Sequence, residues 1–172
     1  MAIIIAFSLI ATTIVALAIR RRYLLVDIHG SSMYPALLPG DRVVFDRTRR
    51  ERLRIGDVVL LRVPEHALPS TDGFEDLRGN DHAYRFVKRV VALGGQNFPP
   101  GIPGGGRDRL VPEGTVVVLG ESMNSLDSRQ WGAVPHRWVY AVARFSPAES
   151  PGRRREIQMT ARRFIPSQKD HR

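Results

Sequence analysis

The chain has 172 residues, a formal net charge of +9, a sequence pI near 11.1, 43% hydrophobic residues and no cysteine. This length fits a single domain, and the lack of cysteine excludes a disulfide scaffold, a thiol nucleophile and a cysteine-ligated metal site. A basic chain can face nucleic acid, anionic lipid or plain solvent. With no zinc-finger spacing, RRM signature or helix-turn-helix pattern, lipid is a better candidate partner than nucleic acid.

Residues Met1 to Ile19 carry no charged side chain. About 20 apolar residues span a bilayer, so this run predicts a transmembrane helix. Ala16-Leu17-Ala18 resembles a signal-peptide cleavage site, but no basic segment precedes the apolar run, which favours a retained anchor. Arg20, Arg21 and Arg22 follow directly, and the positive-inside tendency would hold this end of the helix in the cytoplasm. The expected organisation is an anchor with a basic flank over 1–22, a β-rich domain over 23–147 and a basic tail over 148–172.

Within the domain the pattern changes to short strands. Leu24–Ile28, Arg42–Phe45, Asp57–Val63, Tyr84–Leu93, Val116–Leu119 and Trp138–Phe145 are each rich in β-branched or aromatic residues and bounded by Gly, Pro or Asp. Pro39-Gly40-Asp41 and Ile55-Gly56-Asp57 read as turns. Glu65–His82 and Gln96–Arg109 read as loops, the latter because NFPPGIPGGG suits no regular element. The tail is basic and reads as a solvated segment with lipid as its alternative partner.

Three constellations could carry chemistry. In His29-Gly30-Ser31-Ser32-Met33-Tyr34-Pro35 an apolar strand runs into a Gly-Ser-Ser turn, where an exposed serine can be a nucleophile or simply bond its own backbone. In Tyr84–Val91, period two puts Tyr84, Phe86, Lys88 and Val90 on one face and Arg85, Val87, Arg89 and Val91 on the other. Lys88 therefore shares a row with two aromatics. Burial there would lower its pKa and allow a neutral amine to act as general base, whereas a solvated surface lysine is the plainer reading. The third is the polar loop Gly120–Gly132, with hydroxyls and an Asp127/Arg129 pair, whose carboxylates are too few and badly spaced for an EF-hand. His29, His66, His82, His136 and His171 are scattered with no obvious orienting carboxylate, which weakens a Ser-His-Asp triad. Asp72, Glu75, Asp76 and Asp81 fall in an irregular loop, which weakens a paired-carboxylate mechanism.

In order, the chain carries an apolar helix, GSSMYPAL, GDRVV, GDVV, RFVKRVVALGG and GESMNSLDSRQWGAVP. Together these resemble the bacterial type I signal peptidase family of Ser/Lys membrane proteases over about Leu24 to Pro135. The resemblance implies a β domain of two packed antiparallel sheets behind one transmembrane helix. It assigns Ser32 as nucleophile, Lys88 as general base and Ser125 as the residue orienting the lysine. The Gly30-Ser31-Ser32 turn would form the oxyanion site, with Met33, Pro35, Asp127 and Arg129 shaping its surroundings. Neither metal nor cofactor is implied. Secreted preproteins would bind as an added strand beside Ile28, His29, Tyr84 and Phe86, and be cut after small residues of the Ala-x-Ala type. The implied location is the plasma membrane, single-pass, with the catalytic domain on the extracytoplasmic side, opposite to what Arg20–Arg22 favour. Three departures matter: Gly30, as in other family members, lacks the serine hydroxyl that some relatives bring to the oxyanion, the last motif opens Gly120-Glu121-Ser122, and Leu93-Gly94-Gly95-Gln96 follows the lysine strand. The last-motif departures leave open a membrane-tethered β module that binds without cutting, and the compact size and unusual loops leave open a maturation peptidase of narrow specificity. A self-cleaving repressor-type Ser/Lys protease is a further alternative, but its DNA-binding segment is replaced here by the apolar helix.

Overall fold

The computed structural model describes residues 1–68, 77–79, 83–105 and 109–145. The expected basic tail and most of the carboxylates of the Glu65–His82 loop lie outside the described residues.

Helix α1, Ala2–Arg22, is 21 residues long. At 1.5 Å per residue it is about 30 Å in length, the thickness of a hydrocarbon core. From Ile4 to Ile19 its apolar side chains are exposed, and only its last residues, Arg21 and Arg22, are bonded to the described part of the domain. Its two threonines return their hydroxyls to the helix, Thr12 donating to the Ser8 carbonyl and Thr13 to that of Leu9, both at 2.8 Å. No polar group of either side chain is then left facing an apolar medium.

Seven strands follow: β1 Tyr23–Asp27, β2 Arg42–Asp46, β3 Val58–Pro64, β4 Ala83–Leu93, β5 Thr115–Leu119, β6 Val134–Pro135 and β7 Val139–Phe145. All six strands read from the sequence are present, shifted at their ends by a residue or so. A single turn of helix, α2, covers Ser128–Trp131. The strands form one antiparallel sheet in the order β1-β2-β7-β3-β4-β5-β6. This differs from the expected pair of packed sheets. The reason is β7, which hydrogen-bonds to β2 on one side and β3 on the other and so joins two halves into one ladder.

The sheet still encloses core on both faces. Register shifts at Val44/Phe45, Leu60/Leu61 and Val90/Ala92 are bulges, which bend a strand and increase its twist. On β3, Val59, Leu61 and Val63 enter one buried cluster with Phe86 and Val118, while Leu60 enters another with Met33, Phe45 and Ala141. A continuous apolar run on β3 is what a strand covered on both faces requires.

The bending brings two strand edges towards each other. β1 is the sheet's terminal strand, so one of its edges has no partner strand. β4 pairs with β3 from Ala83 to Arg89, but its other neighbour, β5, begins pairing only at Arg89. Ahead of Lys88, that second edge of β4 carries, among the described residues, only an isolated bridge from Tyr84 to Arg78. A groove of about 280 Å³ runs between the two edges, with Leu24–His29 on one wall and Arg85–Val87 on the other.

Candidate active site

The segment after β1 is tied down before it turns. The Ile28 N–H donates to the Asp41 carbonyl, and the Gly40 N–H to the Ile28 carbonyl, both at 2.8 Å. Gly30 then takes φ 74°, a left-handed conformation that costs glycine nothing and lets the chain reverse. Past it, Met33 and Leu37 are buried and pin the turn to the core. Ser32 is left half-buried, at the end of the groove between β1 and β4.

Strand β4 alternates as its sequence requires. Tyr84, Phe86, Lys88, Val90 and Ala92 are buried, whereas Arg85 is exposed and Val87, Arg89 and Val91 are half-covered. Lys88 is only 1% exposed. Its Nζ donates to Ser125 Oγ at 2.8 Å and lies 5.7 Å from the centre of the Phe86 ring. Desolvation dominates here and pushes the amine from 10.5 down to about 8; Asp127 opposes this shift and Arg129 adds to it.

The third segment is built around Asp127, which caps α2. Asp127 and Gln130 form a capping box, in which the Gln130 side chain accepts from the Asp127 N–H at 2.9 Å. The Asp127 carboxylate also accepts from the Gly120 N–H at 2.8 Å and from Arg129 at 2.7 and 3.0 Å. Arg129 in turn donates to the carbonyls of Gly120 and Ser122, at 3.1 and 2.8 Å. The buried Ser128 hydroxyl accepts from the Val118 N–H at 2.9 Å and fastens the loop to β5. Through these bonds Asp127 and Arg129 hold the loop from both ends.

Gly120 is where the loop meets the serine turn. A Cβ there would collide with Ser125 Oγ, and would lie 2.6 Å from Ser125 Cβ and 2.7 Å from the Ser32 carbonyl oxygen. Only a residue without a side chain lets the loop approach the serine turn this closely. Nearby, the Ser122 N–H donates to that same Ser32 carbonyl at 3.1 Å.

A cleft of about 420 Å³ gathers Gly30, Ser31, Ser32, Lys88 and Ser125, with His29 and Phe86 at its side. It shares Ser32, His29 and Phe86 with the groove between β1 and β4, so the two form one depression with Ser32 at their junction. Ile28 and Met33 line the groove, whereas Pro35 lines neither space. Tyr84 turns its side chain into the core, 2% exposed, and can meet a ligand only through its backbone.

Several contributors were not singled out in the sequence. These are Ser128, Gln130 and Trp131, whose ring meets Phe86 edge-on at 5.4 Å, while Gly120 and Ser122 stood out only as part of a departure from the family pattern. The Asp127-x-x-Gln130 spacing is a capping-box signal and could have marked the start of α2. Glu121, at a position where the sequence departs from the family pattern, pairs with Arg89 at 2.6 Å and links the loop to the residue next to Lys88.

A buried amine depressed toward neutrality, bonded to a hydroxyl and sharing a cleft with a half-exposed serine, is an arrangement suited to serine acyl chemistry without histidine. The sequence agrees with that class. It matches the profile of the family described as Signal peptidase, peptidase S26, over residues 1–98 and 102–147. The chain belongs to this family and is a serine endopeptidase. It is similar to a probable signal peptidase I-1 of Synechocystis sp., with 29% identity across 81% of this chain and 77% of that protein.

Proposed function

We propose that the protein removes signal peptides from exported preproteins through a Ser32/Lys88 dyad, cutting after small residues. The observation that carries this reading is the state of Lys88, a buried amine held near a pKa of 8 beside Ser125 and in the same cleft as Ser32.

In this mechanism neutral Lys88 accepts the Ser32 hydroxyl proton as Oγ attacks the scissile carbonyl. The Ser32 N–H stabilises the resulting oxyanion; losing such a donor typically costs about 3 kcal/mol of transition-state stabilisation. Gly30 supplies no side-chain donor. The Lys88 ammonium returns its proton to the departing amine of the mature protein, leaving the signal peptide esterified to Ser32. Lys88 then takes a proton from water, which hydrolyses the ester. Ser125 orients the lysine throughout by accepting one of its N–H groups.

Substrate would enter the β1/β4 groove as an extended strand and use backbone groups on the two facing edges. The groove floor is filled by Met33 and Leu60, each 1% exposed. This leaves little depth beneath the substrate and favours alanine-sized side chains near the cut. Helix α1 anchors the enzyme in the plasma membrane as a single span, with the domain on the extracytoplasmic side where exported precursors emerge.

The test is cleavage of a precursor bearing an Ala-x-Ala site by wild type, Ser32→Ala and Lys88→Ala in detergent. Wild type should cut after the second alanine, and both variants should lose at least about a thousandfold in turnover while keeping their melting temperatures within a few degrees. Near-normal turnover by either variant would rule out the dyad.

A further inference from the structure

The proposed chemistry leaves unused the densest charge in the described protein. Arg47–Arg54 carries five arginines and one glutamate, most of it wound as a 3-10 turn over Arg47–Arg52 directly after β2. Arg20 and Arg21 stand exposed at the end of α1.

Specific bonds bring these two segments together. Arg22 donates to the Asp46 carboxylate at 3.1 Å, and Arg144 reaches the same carboxylate at 3.4 Å. Arg47 donates to the Arg21 carbonyl at 3.2 Å and lies 4.8 Å over the Tyr140 ring. Arg49 donates to the Ala143 carbonyl at 3.1 Å, which docks the turn on β7. These bonds fasten the arginine turn against the last residues of the helix. The remaining arginines point outward: Arg52 and Arg54 are exposed, and the side chain of Arg50 is 48% exposed, with its neighbour Glu51 as its ion-pair partner among the described residues.

We propose that Arg50, Arg52 and Arg54, with Arg20 and Arg21, form a collar that binds the anionic phosphate headgroups of the bilayer crossed by α1, and thereby holds the domain in one attitude on the lipid surface. This rests on the reading of α1 as a membrane anchor. A helix about 30 Å long ends where its hydrocarbon ends, so residues bonded to its last turn lie at headgroup depth. Arginine suits that depth, because its fork binds phosphate and its stem tolerates apolar surroundings. The collar also accounts for three arginines at a helix end that the proposed topology places outside the cell. They are spent on the Asp46 pair and on headgroups, and do not act as a cytoplasmic retention signal.

Each arginine reaching an anionic surface is expected to strengthen binding by about fivefold, an effect that fades with salt. The experiment uses the full chain in non-ionic detergent, with equal amounts of phosphatidylglycerol and phosphatidylcholine of matched acyl chains, and reads retained lipid by native mass spectrometry. Wild type should retain phosphatidylglycerol over phosphatidylcholine by about tenfold or more at low salt, and lose that preference near 0.5 M salt. The Arg50→Ser/Arg52→Ser/Arg54→Ser variant, which keeps Arg20 and Arg21, should lose most of that preference, with unchanged precursor cleavage in lipid-free detergent. Equal retention by wild type would overturn the collar, as would undiminished preference in the triple variant. Displacement of the lipid by duplex DNA at equal phosphate concentration would also overturn it, by making the surface a general polyanion site. The anchor is tested separately by alkaline carbonate extraction from pure phosphatidylcholine vesicles. Release would overturn the anchor and the collar together, whereas retention without headgroup preference would overturn the collar alone.

Discussion

Lys88 is expensive to bury, and its cost can be measured. Its pKa falls from 10.5 in the open chain to about 8 in the fold, because burial penalises the ammonium. For a base with a depressed folded pKa, the unfolded state binds more protons between the two values, so stability rises with pH across that window. The penalty is full below about pH 8, amounts to about 3 kcal/mol, and fades as pH climbs toward 10.5. Lys88→Met removes the charge and keeps the volume, but leaves the Ser125 hydroxyl without its partner, a cost of about 1 kcal/mol. The variant should therefore be inactive and, at pH 7, more stable by about 2 kcal/mol in denaturant titration. A loss of stability at pH 7 would mean that the lysine is not held at a penalty. The same depression sets the pH–rate profile: cleavage should rise through about pH 8 as the neutral amine accumulates. A flat profile between pH 6 and about 9 would exclude a lysine base with that pKa. Gly120 makes a complementary test without touching any titratable group. Gly120→Ala places a methyl against Ser125 and the Ser32 carbonyl, so the serine turn and the loop must separate. Turnover should fall by about a hundredfold or more, with about 1–3 kcal/mol lost in stability.

At the scale of elements, the site is three unrelated segments brought to one point by different local devices: a glycine reversal after β1, a two-residue alternation in β4 and a capping box at α2. Asp127 serves the last of these and has its carboxylate fully buried. Asp127→Ala removes the cap and strands Arg129. It should cost about 3 kcal/mol or more and lower cleavage through displacement of Ser125, whereas Ser125→Ala should lower cleavage at a smaller cost of about 1 kcal/mol, that of the lost bond to Lys88. Equal stability losses in the two variants would break that distinction. The strands and the Lys88 face were legible in the sequence because β-branched alternation is a local signal, and β4 alternates in the structure as it does in its residues. β6 was not legible, since Val134-Pro135 is too short to show a period. The single sheet was not legible either: β7 sits between β2 and β3, and such a pairing leaves no mark in any one segment. For the site, the resemblance to the signal peptidase family pointed to Ser32, Lys88 and Ser125, whereas their residue types alone left a plain turn and a surface lysine open. The bond between Lys88 and Ser125 crosses 37 positions and depends on Gly120, whose importance lies in a contact.

The described residues form a bent sheet fastened to a bare helix, and Asp46 is the carboxylate on which the side-chain bonds of that junction converge. The Asp46 side chain is fully buried and accepts from the Thr48 N–H and hydroxyl at 2.9 and 2.7 Å, as well as from Arg22 and Arg144. Burial alone would raise its pKa, but the bonds from Arg22 and Thr48 outweigh that and hold it at about 2. For an acid with a depressed folded pKa, the stabilisation is fully present above the unfolded value near 3.8 and is lost as pH falls through about 2. Asp46→Asn keeps the shape and removes the charge, leaving Arg22 and Arg144 without a counter-ion. At pH 7 the variant should be less stable by about 2 kcal/mol, a few degrees in melting temperature for a protein of this size. The gap should close as both proteins are taken from pH 5 toward pH 2, because the wild type loses there what the variant never had. Cleavage per folded molecule in lipid-free detergent should not change, since Asp46 lines neither the groove nor the cleft. A stability gap that stayed constant down to pH 2 would show that the carboxylate's charge does not hold this junction, and the link between helix and sheet would have to lie in the backbone and in the Arg47 bond to the Arg21 carbonyl.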